Sequence, residues 1–209
     1  MIAIINYDAG NLASVAHAVS HIGFKCIVTS DLKEIAKADR IIFPGVGAAG
    51  SAMESLKRSG LHIALKDAFA SGKPILGICL GTQIIMGHSQ ENDVTCLDVV
   101  AGNVRAFPAD IRSKAGDRLK IPHMGWNRIS IKVKHPVLSG VRKEDEFYFV
   151  HGYYPDPNDS NHVIATTDYG VCFASVIGFK NIIATQFHPE KSGKPGLFML
   201  KNFCTWEPC

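Results

Sequence analysis

The chain is 209 residues long, 46% apolar and 20% charged, a balance that excludes wholesale disorder and collagen-like repetition. That length suits one domain, or one with an embellishing subdomain, around a large buried core. With 22 basic and 19 acidic residues the net charge is only +3, and neither basic clusters nor interleaved aromatics mark a nucleic-acid surface.

The opening MIAIINYD has no charged leader and meets Asp8 before a signal-like apolar core develops. No apolar run approaches the ~18 residues of a membrane span. A cytoplasmic protein without membrane contact is expected. Cys26, Cys79, Cys96, Cys172, Cys204 and Cys209 are scattered, without framework or C-x-x-C spacing, so neither disulfides nor a structural zinc is indicated. Most read as small buried fillers.

In chain order, Ile2–Asn6 reads as a strand and Asn11–Ile22 as a helix with Leu12, Val15, Ala16, Val19 and Ile22 on one face. Lys25–Val28 is a second strand, and Asp31 an N-cap for a short helix. Arg40–Phe43 is a third, followed by Pro44 and a glycine-rich turn. Helical stretches at Ser51–Arg58 and Leu61–Ala70 lead to a fourth strand, Pro74–Ile78, and then to helical Thr82–Met86. Strand alternating with helix predicts a parallel sheet covered on both faces. Beyond residue 95 the strands Val104–Phe107, Arg128–Val133, Glu146–Val150, His162–Thr167, Val171–Phe179 and Ile182–Gln186 are joined by Gly, Pro, Asn and Asp turns. A helix near Lys194–Cys204 closes the chain. The expected architecture is α/β: a mostly parallel central sheet flanked by helices, with added antiparallel strands in the second half. No linker or repeat divides residues 1–209, which are read as a single domain.

Two glycine-rich turns carry the chemistry. Gly45-Val46-Gly47-Ala48-Ala49-Gly50 matches the dinucleotide pattern G-x-G-x-x-G, but it follows the third strand, not the first, and no ribose-binding acid ends the next one. Its glycines still permit close backbone approach and amides aimed at an anion. Gly77-Ile78-Cys79-Leu80-Gly81, between strand and helix, is the cysteine counterpart of a nucleophile elbow. Such a turn projects its central side chain clear of the sheet, and the following helix dipole favours thiolate. The bland alternative is a buried cysteine with capping glycines. A cysteine nucleophile needs an oriented base. In Gln186-Phe187-His188-Pro189-Glu190, positions i and i+2 of extended backbone share a side, and Pro189 keeps His188 extended. Cys79, His188 and Glu190 therefore fill the three roles of a triad. The Leu80 amide is the natural first oxyanion donor and the Val46–Gly47 turn a second.

These residues resemble class I glutamine amidotransferases, with Pro44–Gly47, Gly77–Gln83 and Gln186–Ser192 in that family's order along essentially the whole chain. Pro122-His123-Met124-Gly125-Trp126-Asn127 and Phe147–His151 look like a narrower branch, the glutaminase subunits that serve imidazole glycerol phosphate formation. The resemblance implies hydrolysis of L-glutamine through a glutamyl thioester on Cys79. Gly47, Gln83 and Glu91 would hold the substrate, with backbone of Gly152 and Tyr153, and neither metal nor cofactor would be required. It further implies ammonia transfer to a separate (β/α)8 cyclase subunit, a heterodimer, with Asn11, Trp126 and Lys191 near the partner face. Two residues depart from the family pattern: Gly152 stands where serine is usual, and Thr82 where methionine is commoner, which would reshape the pocket wall. A paralogue feeding a sugar-amidating partner, a cysteine peptidase of similar architecture and a non-enzymatic regulatory domain are the competing readings.

Overall fold

A computed structural model describes residues 1–8 and 10–208; Cys209, expected to pack, lies outside them. The first half is β1 (Ile2–Ile5), α1 (Leu12–His21), β2 (Cys26–Thr29), α2 (Leu32–Lys37), β3 (Arg40–Gly45), α3 (Ala49–Ser59), α4 (Leu61–Ala70), β4 (Ile75–Cys79) and α5 (Leu80–Ile84). The second half is β5 (Met86–Ser89), β6 (Val94–Thr95), β7 (Val100–Ala106), β8 (His123–Arg128), β9 (Ser130–Ile131), β10 (Glu146–His151), β11 (Tyr153–Pro157), β12 (Val163–Asp168), β13 (Cys172–Phe179), β14 (Ile182–Thr185) and α6 (Gly193–Thr205).

Eight strands form the main sheet in the order β2-β1-β3-β4-β14-β13-β12-β9. The first five are parallel neighbours, and β13, β12 and β9 continue the sheet antiparallel. The α/β expectation therefore holds. Strands buried on both faces read as continuous apolar runs, as IAII of β1 does. Alternation along each strand divides the core: Ala3, Ile5, Ile41, Phe43 and Ile75 pack with residues of α2–α5, whereas Ile2, Ile4, Ile42, Leu76 and Ile78 pack with α1 and α6. Asp31 caps α2 as expected, accepting the Lys33 amide at 2.7 Å.

Several boundaries shift. Pro44 and Gly45 complete β3 instead of starting a turn, and the helix after the elbow ends at Ile84, with Met86 already in β5. Arg128–Val133 is not one strand; pairing with β10 draws residues 123–128 into β8. β11 is not marked by its own sequence, because Pro155 and Pro157 break the strand pattern. It lies at the edge of the β11-β7-β5-β6 sheet, where missing amide donors are tolerated. Among the described cysteines, all free, Cys96 and Cys204 are buried fillers, but Cys172 is exposed, against expectation. No described helix is long and apolar enough to cross a membrane.

Candidate active site

The C-terminal ends of β3, β4 and β14 are adjacent, which brings three sequence-distant segments to one rim of the sheet. Gly45 of β3 lies opposite Cys79 of β4. Cys79 has φ 53° and ψ −106°, a left-handed conformation for a residue with a side chain. Such strain costs about 1–3 kcal/mol and persists only where its surroundings enforce it. The flanking glycines explain how. A Cβ on Gly81 would lie 1.8 Å from the Phe43 carbonyl oxygen, and one on Gly77 would lie 2.9 Å from Ala184 Cβ. Leu80 is the first residue of α5, so its amide has no intrahelical acceptor.

His188 follows β14 in extended backbone (φ −100°, ψ 95°), and its amide donates to the Tyr148 carbonyl at 2.9 Å. Glu190 does reach the imidazole, at 2.7 Å from Nδ1, but through a 3-10 turn over Pro189–Lys191 and not along an extended strand. Both side chains are fully buried. Asn11 also donates to the same Glu190 oxygen, Oε1. Asn11, which the resemblance assigned to the partner face, is half-buried and fixes the carboxylate. Ser192 steadies this loop from behind, donating to the His188 carbonyl at 2.6 Å and accepting the Tyr148 amide at 3.0 Å.

Burial pulls the His188 pKa down, but the Cys79 sulfur and the Glu190 carboxylate outweigh it by hydrogen bonding and charge, and the value is pushed up to about 10. Nε2 makes no well-formed hydrogen bond, so the contact with Cys79 is loose. Catalytic contacts commonly tighten only when substrate arrives. The sulfur is otherwise met by the Gln186 amide, Nε2 at 3.7 Å, and by the Val150 carbonyl at 3.9 Å.

Beside the sulfur is a cavity of ≈ 300 Å³ whose walls include Val46, Gly47, Leu80, Gln83, Glu91, Gly152 and Tyr153. All predicted substrate and oxyanion residues therefore converge. Besides lining the cavity, Glu91 accepts the Ala49 amide at 2.8 Å through its carboxylate, while Asn92 accepts that of Gly50 at 3.3 Å. The start of α3 is capped by the chain's own side chains, which takes away the amides a phosphate would need. Thr82 is not in the cavity wall; it is fully buried and donates to the Thr185 carbonyl at 2.6 Å. Gly152 is unconstrained, since a Cβ there would meet only Ile121, at 3.8 Å. Outside the cavity, Trp126 is 55% exposed and meets the Tyr148 ring edge-on, while Lys191 Nζ sits 5.8 Å above that ring. With exposed Met124 they form a mixed apolar and basic surface. Among the described residues, no group of His, Cys, Asp and Glu side chains is arranged to hold a metal.

Gln186, Ser192, His123 and His151 join the site without having been expected there from sequence. Gln186 was accessible, because it stands two residues before His188 on extended backbone and shares its side. His123 and His151 are buried and bonded to each other, Nδ1 to Nε2, at 3.0 Å. Burial holds His123 at about 4. For His151, burial, opposed by the hydrogen bond to Tyr153 and aided by the charges of His123 and His188, gives about 3. Both are neutral when folded and free to protonate when unfolded. The stability they confer is therefore complete above about pH 6.5 and is lost as the pH falls from there toward about 4. Denaturant unfolding between about pH 6 and 5 is expected to take up about two extra protons from this pair. The double variant His123→Phe/His151→Asn should lack that slope; an unchanged slope would contradict the assignment.

Residues 3–206 match the family model described as glutamine amidotransferase class-I. A protein of Nitratidesulfovibrio vulgaris (Miyazaki F) named imidazole glycerol phosphate synthase subunit HisH is 50% identical over 203 residues, covering 97% of this chain and 95% of its own. A protein of the same name from Aromatoleum aromaticum is 46% identical over 210 residues, covering 99% of each. In fold, the chain is similar to a solved structure of the glutaminase domain of CTPS from Trypanosoma brucei. The TM-score is 0.67 at 18% identity, over 97% of this chain and 92% of that one.

Proposed function

The chain belongs to the class-I glutamine amidotransferase family, and from that premise we propose that it is the glutaminase subunit of an imidazole glycerol phosphate synthase. Read this way, residues 1–209 are one cytoplasmic domain that hydrolyses L-glutamine and hands ammonia to a separate (β/α)8 cyclase subunit for histidine biosynthesis. The observation that carries the reading is that Cys79 lines a cavity of ≈ 300 Å³, large enough for an amino acid of glutamine's size, with the bonded pair His188–Glu190 buried behind it.

In this mechanism Cys79 attacks the side-chain amide carbon, and the proton held on His188 passes to the departing ammonia. The resulting glutamyl thioester is opened by water, which His188 deprotonates, releasing glutamate and returning the thiol. Glu190, fixed by Asn11, holds the imidazole with Nε2 directed to the reaction. The Leu80 amide, with Val46 and Gly47 in the same cavity wall, stabilises the oxyanion in both steps. Gln83, Glu91, Gly47 and backbone of Gly152 and Tyr153 form the substrate seat. These groups supply attack, proton transfer and hydrolysis, so no metal or organic cofactor enters. Trp126 and Lys191, beside Tyr148, present the face on which the cyclase docks as a heterodimer.

The purified chain mixed with a cognate cyclase is expected to release glutamate from glutamine and to place the amide nitrogen in imidazole glycerol phosphate. Failure to form the complex, or nitrogen transfer only to a sugar-amidating partner, would overturn the pathway assignment. Cleavage of peptide amides in preference to glutamine would overturn the glutaminase reading itself.

A further inference from the structure

Two buried histidines have no part in the mechanism above, yet all four of their ring nitrogens are engaged. His151 Nδ1 lies 2.8 Å from the Tyr153 carbonyl, which can only accept, so Nδ1 carries the hydrogen. His151 Nε2 must then accept, and His123 Nδ1, 3.0 Å away, must donate. His123 Nε2 in turn accepts from Asn127 Nδ2 at 3.3 Å. The Asn127 amide cannot be reversed, because its oxygen accepts the Arg128 amide at 2.8 Å and its nitrogen also donates to the Asp168 carbonyl at 3.0 Å. Both ends of the chain of bonds therefore dictate the same pair of neutral tautomers.

The relay ends on the backbone proposed to hold glutamine. His151 itself lines the cavity, beside Gly152 and Tyr153. The Tyr153 carbonyl takes a second hydrogen bond from Gln83 Nε2 at 3.0 Å, and Gln83 reaches Gln186 Oε1 at 3.1 Å. Gln186 then meets the nucleophilic sulfur. Aromatic packing locks the rings: His123 stacks on Tyr169 and Phe149 with centroids 3.9 and 4.8 Å away, and His151 lies 5.1 Å from Phe173. A phenylalanine or leucine would fill such apolar sites without any polar group to satisfy. Two fully bonded imidazoles instead supply a directed, rigid hydrogen-bond network that no apolar side chain provides.

The geometry points to His123 and His151 as positioning residues that hold the Gly152–Tyr153 backbone in register for glutamine through a directional, uncharged hydrogen-bond relay. This inference rests on the glutaminase reading and adds to it the residues that set substrate affinity. Neither histidine touches the reacting atoms, so their loss acts on binding more than on turnover.

The test is steady-state glutamine hydrolysis by the complex with its cyclase. His151→Leu is expected to raise KM for glutamine about tenfold with kcat changed less than about threefold. His151→Asn, whose amide nitrogen can occupy the place of Nδ1, should bring KM back to within about threefold of the parent. An unchanged KM in His151→Leu, or equal losses in the leucine and asparagine variants, would overturn the relay while the glutaminase reading stands. An unsubstituted complex without turnover would instead overturn the reading beneath it. Imidazole nitrogen NMR of the unsubstituted chain gives a check that needs no activity. Both rings should be neutral with hydrogen on Nδ1 at about pH 6, and hydrogen on Nε2 of either would contradict the relay.

Discussion

Replacing Cys79 by alanine is expected to lower glutamine hydrolysis in the complex by a factor of about 10⁴ or more, with the fold unchanged. No other described thiol is placed to substitute: Cys96 and Cys204 are buried in packing, Cys26 is half-buried and Cys172 is exposed elsewhere. Stability should respond in the opposite sense to activity. At φ 53° a side chain is strained and glycine is not. Cys79→Gly should therefore be inactive yet more stable than Cys79→Ala by about 1 kcal/mol, read from urea unfolding. Equal stability of the two variants would mean that the elbow stores no strain.

Gly81→Ala is expected to be nearly as damaging, by a different route. The new methyl would stand 1.8 Å from the Phe43 oxygen, a backbone atom in the fully buried centre of β3. Neither side can yield without moving α5 off the sheet, and with it the Leu80 amide and the Cys79 turn. Overpacking of this kind costs about 1–3 kcal/mol, and loss of an oxyanion donor about 10²–10³ in kcat. Gly77→Ala provides the contrast, because its methyl meets only the Ala184 side chain, at 2.9 Å, before the looser approach to α5 begins. Ala184→Gly should restore much of the stability lost in Gly77→Ala, but no single side-chain truncation should rescue Gly81→Ala. Thermal unfolding and kcat of Gly81→Ala, Gly77→Ala and Gly77→Ala/Ala184→Gly decide the matter. Near-parental behaviour of Gly81→Ala would contradict the close approach of helix and strand.

The elbow was legible in the sequence because its requirements are local. A residue at positive φ between strand and helix demands small neighbours at fixed offsets, and Gly77 and Gly81 stand there. The His188–Glu190 pair was legible for the same reason, although a 3-10 turn delivers the contact that extended spacing suggested. What escaped is non-local. Gln83 reaches Tyr153 and Gln186 across 70 and 103 residues, and nothing in either segment alone marks the partner. β8 lacks the alternating β-branched residues that announce a strand; β10 supplies its register. The bond from Asn11 to Glu190 spans 179 residues. Likewise, nothing near the glycines around Gly47 marks Glu91 and Asn92, each 42 residues from the amide it accepts, as the acceptors at the start of α3.

The central claim is covalent: during turnover the glutamyl group rides on Cys79. Acid-quenching the complex while it hydrolyses glutamine, then locating the mass of one added glutamyl residue by peptide mass spectrometry, tests this directly. The adduct is expected on the peptide that contains Cys79, and His188→Asn should form it more slowly. Sustained glutamine hydrolysis with no adduct on Cys79, or with an adduct on another residue, would contradict the account.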